Sequence, residues 1–384
     1  MQIKYALFIL FIFYFSACQS KRTAKEKVFD LSFEQKSIKL SGKGTERYLQ
    51  WQLHPQKGLK ALLAFNPMNN SLDFFDLETG KFSATYFFEE EGPNGIGVPS
   101  VFYFQDEEHL YFKEARFLNM TNLEGRVKKR IRIWQQNASA NSLANDINPI
   151  HIPSYFPFYI DSTTAEMYYA RTAYIDRQMF INYDENSKII GKLNWNTEKA
   201  EDLPIYLPDF YLNKEEYFGI AYNPQLCLWA DKLIINYQTS SKIFVYNSSG
   251  KEKRVYDFPS SYTSNQLKGV PISAREDFTK VYENLSKGTR FYPLQYDTKN
   301  AVFYRFHEAK SYNDKGEIIK RDIYLMIMNE NFEVIQEEKM PETVNAPSTV
   351  VVLPEGGLLV GVAGNQVRED HFTYNVIKLK RLKN

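Results

Sequence analysis

The feature that most restricts what this chain can become is a turn that keeps returning. Glu78-Thr79-Gly80-Lys81, Leu123-Glu124-Gly125-Arg126 and Ser248-Ser249-Gly250-Lys251 each follow an apolar run that closes on Asp or Asn, at Asp76, Asn122 and Asn247. Each turn leads into another such run, and its glycine supplies the positive φ that a tight hairpin needs. Between the turns nearly every segment reads as a short strand. Phe, Tyr and Trp make up 16% of the chain, a bias that suits a pleated, half-buried surface. A degenerate repeat of roughly 40–60 residues with four strands per unit predicts a β-propeller.

The strands can be laid out as A to D of successive blades. Blade one takes 46–53, 59–66, 71–76 and 82–88; blade two 99–105, 109–113, 116–122 and 126–133. Blade three takes 154–160, 165–170, 178–183 and 187–193; blade four 223–229, 232–237, 242–247 and 251–257. Blade five takes 290–296, 300–307, 321–328 and 332–338. Blade six offers only 347–353, 356–362 and 371–379 before the chain stops. A spare strand, Glu34 to Leu40, can fill the vacancy and close the ring, which removes an open sheet edge. The expectation is an all-β, six-bladed β-propeller of four-stranded blades, a single domain over 28–384 closed by its N-terminal strand. Blade three is weakly marked, so five or seven blades stay open, and a pair of β-sandwiches is the alternative architecture.

The N-terminus carries a separate message. Lys4 precedes an unbroken apolar run from Tyr5 to Phe15, followed by Ser16-Ala17-Cys18. The run falls far short of the ~20 residues of a membrane-spanning helix and fits a signal peptide over 1–17. Phe15-Ser16-Ala17-Cys18 resembles the lipobox of bacterial lipoproteins, which implies lipidation of Cys18, with 18–27 as a polar, basic tether to the membrane; an ordinary cleaved signal and a retained anchor are the alternatives. The only other cysteine, Cys227, lies in an apolar run and reads as a buried, inert thiol. Net charge is +1 and no basic patch stands out, which argues against a nucleic-acid partner.

Phe15-Ser16-Ala17-Cys18, together with Glu91-Gly92-Pro93-Asn94-Gly95-Ile96-Gly97 between blades one and two, resembles the six-bladed propeller lipoproteins of Bacteroidetes-type bacteria, a family of unknown function. The resemblance implies a fold and a cell-envelope location, and no reaction. Because no acidic run follows Cys18, the outer membrane facing the periplasm is the expected place, with surface exposure as the alternative.

Propeller geometry puts the D-to-A and B-to-C links on one face. The long links, 134–153, 194–222, 258–289, 308–320 and 363–370, all fall in that class, so binding is expected there. Arg171, Arg177, Tyr211, Tyr217 and Arg275 are the candidate binding residues, chosen because Tyr and Arg most often dominate recognition. Gly92, Asn94 and Gly95 read either as a backbone anion cradle or as a turn. Ser273-Ala274-Arg275-Glu276 has the pattern of a capping box, predicting one short helix near 274–287 whose stripe, Phe278, Val281, Tyr282 and Leu285, packs on the propeller.

His54, His109, His151, His307 and His371 are scattered without metal-ligand spacing. His307-Glu308 is considered as an acid/base pair and Asn313 to Glu317 as a cation loop, each against a bland polar reading. No catalytic triad motif is present, and no metal or cofactor is implied. The expected function is non-catalytic binding of a protein, peptide or glycan on the long-loop face. The alternatives are a glycan-acting hydrolase or lyase, or an accessory or sensor subunit of an envelope complex.

Overall fold

An Asp or Asn ends strand C in five of the blades and folds its own side chain over the turn that follows. Asp76 Oδ1 accepts from the N–H groups of Glu78 and Thr79 at 2.7 and 2.9 Å. Asn247 Oδ1 accepts from Lys251 N–H at 2.9 Å, and Asn329 Oδ1 from Glu333 N–H at 2.9 Å. Asn122 and Asn194 cap their turns in the same way. Each turn needs one residue in the left-handed region: Gly80, Gly125 and Gly250 supply it in blades one, two and four, but Glu198 (φ 58°) and Phe332 (φ 60°) do so in blades three and five. These turns pin five C–D hairpins.

In the computed structural model the described residues are 27–40, 48, 50–54, 60–114, 117–132, 158–161, 163–171, 174–175, 181–182, 185–344, 347–362 and 371–382. They form six four-stranded antiparallel blades. Blade one comprises Trp51–Leu53, Ala61–Asn66, Ser71–Asp76 and Lys81–Phe87, and blade two Val101–Asp106, His109–Lys113, Phe117–Thr121 and Val127–Arg132. Blade three comprises Tyr159–Asp161, Glu166–Ala170, Ile190–Asn194 and Ala200–Asp202, and blade four Gln225–Trp229, Lys232–Asn236, Lys242–Asn247 and Arg254–Asp257. Blade five has a broken inner strand, Arg290–Phe291 and Gln295–Asp297, then Val302–Tyr312, Ile318–Asn329 and Val334–Lys339.

Blade six is Pro347–Val352, Leu358–Val362 and His371–Arg381, completed by β1 (Phe29–Lys39) as its outer strand. The register runs unbroken from Phe29 opposite Arg381 to Lys39 opposite His371. The closing strand is therefore longer than the expected Glu34–Leu40 and starts at the short-turn end of the blade. The described residues also form six separate apolar cores, one in each gap between neighbouring blades. A ring of six blades has six gaps, so the closed ring follows from the packing as well as from the strand pairing.

Side-chain amides stitch the blades together where no backbone ladder can. Gln52 of blade one accepts from Phe104 N–H of blade two at 2.9 Å and donates to its carbonyl at 2.6 Å. Gln336 of blade five accepts from Val28 and Phe29 N–H at 3.0 and 2.8 Å, and donates to Phe29 O at 2.9 Å. A buried backbone group left without a partner is costly, and these amides meet that need. Cys227 is buried in the blade four–five core, and burial pushes its thiol up to about 12, the chemistry of an inert side chain.

Three expected boundaries are corrected. In blade three, 187–193 is strand C rather than D, and Ala200–Asp202 is strand D; Ile181–Asn182 pairs instead with Tyr174–Ile175 in a separate hairpin within the B-to-C link. The segment 308–320 is two strand extensions joined by a short turn rather than a long loop, since Val302–Tyr312 and Ile318–Asn329 stay paired out to Tyr312 and Ile318. The helix, α1, spans Phe278–Lys287 and is capped by Asp277, which accepts from Lys280 N–H at 3.0 Å; Ile272–Ala274 forms a 3-10 turn where a capping box was expected. Only Val281 of its stripe is buried and Leu285 half-buried, while Phe278 and Tyr282 face solvent. Signal peptide 1–17, Cys18 and links 134–153 and 363–370 lie outside the described residues, as does all of the tether but Lys27.

Candidate binding face

Two long links build an ordered cap over blades three and four. Residues 203–224 follow blade three and 258–289 follow blade four, and the two pair with each other through Glu216–Tyr217 and Val270–Pro271. Gly219, at φ 54°, presents bare backbone to α1: a Cβ there would meet Val281 Cγ1 at 2.8 Å. The links therefore approach as closely as packing permits.

This cap determines the fate of the expected site residues. Tyr211 is 3% and Tyr217 5% exposed, both inside the core that joins cap to blades. The Tyr211 ring lies 4.8 Å from Phe218, 5.0 Å from Tyr222 and 5.1 Å from Tyr237, and its hydroxyl donates to Ala221 O at 2.5 Å. These tyrosines hold the face together and do not present themselves on it. Arg171 forms an ion pair with Asp202 and braces the B and D strands of blade three. Arg275 is half-buried and ends the 3-10 turn Ile272–Ala274. Arg177 lies outside the described residues. The candidates are thus not gathered at one point: two form core, one braces a blade and one sits on the cap.

Glu91 to Gly97 is a turn, not an anion cradle. The N–H groups of Gly95, Ile96 and Gly97 donate to Gly92 O, Glu89 O and Glu90 O at 3.1, 2.8 and 3.1 Å. Asn94 Oδ1 accepts from Val127 N–H at 3.2 Å, and Gly95 O accepts from the Arg130 guanidinium. These groups fasten the blade one–two link onto the outer strand of blade two, which leaves them occupied.

Beneath the face lies a set of buried polar groups that sequence reasoning overlooked. Arg305 is 1% exposed and donates to the carbonyls of Tyr237, Ser240 and Ser241 at 2.8–3.0 Å, clamping blade five to the B-to-C turn of blade four. Burial pushes its guanidinium down to about 9. His307, two residues on, is 0% exposed. Its Nε2 lies 2.9 Å from Glu337 Oε1 and its Nδ1 3.2 Å from Thr263 Oγ1. Burial raises the Glu337 carboxyl, but His307, Ser260 and the Ser261 N–H outweigh this and hold it below the usual carboxylate range.

The hydroxyl–imidazole–carboxylate series has the members of a nucleophilic relay. Its ring is nevertheless enclosed, stacked on Tyr324 at 5.2 Å and against Phe291 at 5.6 Å. It fastens link 258–269 to blade five. Glu308 points the other way, as alternate strand residues must: it pairs with Lys310 and accepts from Tyr292 at 3.0 Å. His307 and Glu308 therefore do not act as a pair. Asn313 caps a four-residue hairpin turn, accepting from Lys315 and Glu317 N–H at 3.0 and 2.9 Å, so its oxygen is already engaged.

Lys113 closes strand B of blade two at the long-loop end. It is 5% exposed, and among the described residues its ammonium has one long contact, 3.4 Å to Ser100 Oγ. Burial pushes it down to about 8, against the pull of Glu114. The available signal was a lysine directly after Leu110-Tyr111-Phe112 in a strand buried on both sides. Among the described residues, no group of three or more His, Cys, Asp or Glu side chains is arranged to hold a metal ion, and no helix is long and apolar enough to cross a membrane.

Fold and face together define a six-bladed propeller with short capped turns at one end and a built cap of paired links at the other. The chain belongs to the family described as Domain of unknown function (DUF4221), whose profile matches residues 25–339. A DUF4221 member from Bacteroides vulgatus is similar over 93% of this chain and 100% of its own, with 18% identity and a TM-score of 0.70. A candidate exported protein from Bacteroides fragilis is similar over 94% of this chain and 98% of its own, with 9% identity and a TM-score of 0.54. No curated protein matches the chain.

Proposed function

We propose that this protein is an envelope lipoprotein, lipidated on Cys18 and facing the periplasm from the outer membrane, whose propeller binds a protein, peptide or glycan without transforming it. The carrying observation is the cap: links 203–224 and 258–289 pair with each other and bury their aromatics, which fixes a recognition surface before any partner arrives. Preorganisation of this kind lowers the ordering cost of binding. The cap's outer side presents Ile220, Phe278 and Tyr282 to solvent, and aromatic anchors on a rigid base are typical of recognition surfaces. The Phe15–Cys18 sequence and the likeness to a candidate exported protein support the location.

Capture from envelope extract with the full chain tests the face. Phe278→Asp with Ile220→Asp is expected to lose partners that the outer-wall variant Val255→Asp retains; equal capture by both would refute the cap as the binding surface. Cys18→Ser is expected to abolish labelling by radioactive fatty acid, and unchanged labelling would remove the anchor.

A further inference from the structure

Strands Val302–Tyr312 and Ile318–Asn329 of blade five are 11 and 12 residues long, and along their length one face of the sheet changes from apolar to basic. Tyr292, Phe306 and Ile323 of that face belong to the blade five–six core. Beyond them, towards the long links, the same face carries Arg290, Glu308, Lys310 and Arg321. The ladder fixes this placement: Arg290 lies opposite Glu308, and Lys310 opposite Arg321. Directly opposed residues of an antiparallel pair share a face, as do residues two apart on one strand. Three cations therefore share one carboxylate, which leaves two positive charges unmatched within the group. Asp322, next along, points to the other face, where Lys320 and Lys339 hold it at 3.3 and 2.8 Å.

Glu308 is already committed. It forms an ion pair with Lys310, both side chains being 2% exposed, and accepts from the Tyr292 hydroxyl at 3.0 Å. Lys310 also donates to Gly288 O at 3.0 Å, which ties blade five to the end of α1. Arg290 and Arg321 are exposed, and among the described residues neither has a carboxylate within ion-pair distance. Arg290 lies over the Tyr292 ring, 5.1 Å from its centroid. Lys310 and Arg321 are like charges directly opposed, an arrangement that destabilises a ladder. Burial lowers the Lys310 amine from its ordinary range; Glu308 opposes this, while Arg321 and Arg290 add to it. Both guanidiniums thus act on one buried amine, from the two strands that flank its own.

We propose that this face binds a phosphate dianion, free or esterified, between Arg290 and Arg321. Two guanidinium forks on flanking strands, both open to solvent, offer the paired donors that phosphate oxygens accept. At neutral pH a phosphate monoester carries a charge of about −1.5 to −2, which answers the two unmatched positive charges; a lone carboxylate answers only one. The bound anion also relieves the repulsion between Lys310 and Arg321, so binding stabilises the fold. The site stands beside the cap and does not depend on the partner proposed there.

Melting of the full-length protein in a non-ionic detergent, with ionic strength held constant by chloride, tests it. Inorganic phosphate is expected to raise the melting temperature saturably, and acetate to have no saturable effect. Both arginines are exposed, so Arg290→Gln and Arg321→Gln keep the fold. Each is expected to weaken phosphate binding about tenfold, while Lys251→Gln, which removes one exposed charge from a short turn, leaves it unchanged. Without phosphate, Arg321→Gln is expected to melt no lower than wild type, because a repulsion has gone. Glucose 6-phosphate binding more tightly than inorganic phosphate assigns the site to an ester; equal or weaker binding assigns it to the free ion. No saturable phosphate effect, or the same effect in the arginine variants as in wild type, overturns the proposal. Neither result bears on partner capture by the cap.

Discussion

Lys113 sits where an apolar residue would serve the fold better. Its ladder partners Val101 and Leu118 are buried core residues, and its amine has one long contact. The unfolded lysine titrates near 10.5 and the folded one at about 8. Between those values the unfolded chain holds a proton that the folded chain does not, so stability rises with pH across this window. Below about 8 both states are protonated and the penalty is fully present. Lys113→Met is therefore expected to stabilise the protein by about 2 kcal/mol at pH 7, with the gain fading towards pH 10.5; thermal melts at pH 7, 9 and 10.5 measure it. Arg305 is the opposite case. Its three carbonyl partners would lose their donors in Arg305→Met, which is expected to cost about 3 kcal/mol by denaturant melts. Neither role was legible beforehand, because a strand sequence shows that a charge interrupts an apolar run but not whether its head group reaches water.

At the level of elements, strands were legible wherever a glycine marked the turn. Gly80, Gly125 and Gly250 announced theirs, and blades one, two and four were placed correctly. In blade three the left-handed position is held by Glu198, so the Asn194 turn carried no glycine signal and strands C and D were displaced by one unit. Tyr211 and Tyr217 were read as binding residues rather than as core, since short 3-10 turns and a two-residue strand impose no period on their buried positions. Two glycines test the corrected elements. A Cβ on Gly191 would meet the Tyr169 ring at 2.3 Å, so Gly191→Val is expected to cost about 3 kcal/mol as overpacking in blade three. Gly219→Ala adds a clash with Val281 to a left-handed backbone. It is expected to cost about 2 kcal/mol and to speed hydrogen exchange across 258–289 while leaving the blades protected.

For the whole molecule, the incomplete last blade was the most informative line of sequence. Three strands where every other blade has four required a fourth from elsewhere, and β1 is that strand. Phe29 is 0% exposed in the blade five–six core and Ile38 0% exposed in the core between blades six and one, so β1 serves two gaps at once. Phe29→Ala is expected to cost about 3–5 kcal/mol in a chemical melt, and deletion of 28–40 to lower the melting temperature of every blade together. An unchanged melt after the deletion would show that the ring does not depend on its closing strand.

Closure through β1 also has a mechanical side. Phe29 and Arg381 lie opposite each other at one end of the antiparallel pair formed by the first and last strands, remote from the cap. A tether pulling on Phe29 against a weight held at the cap draws β1 along its own length. The hydrogen bonds from Phe29–Arg381 to Lys39–His371 then resist in shear, all together, where a pull from Lys39 would open them one after another like a zip. A propeller held by its first strand is thus gripped most firmly in the direction in which the membrane anchor proposed above would tug it.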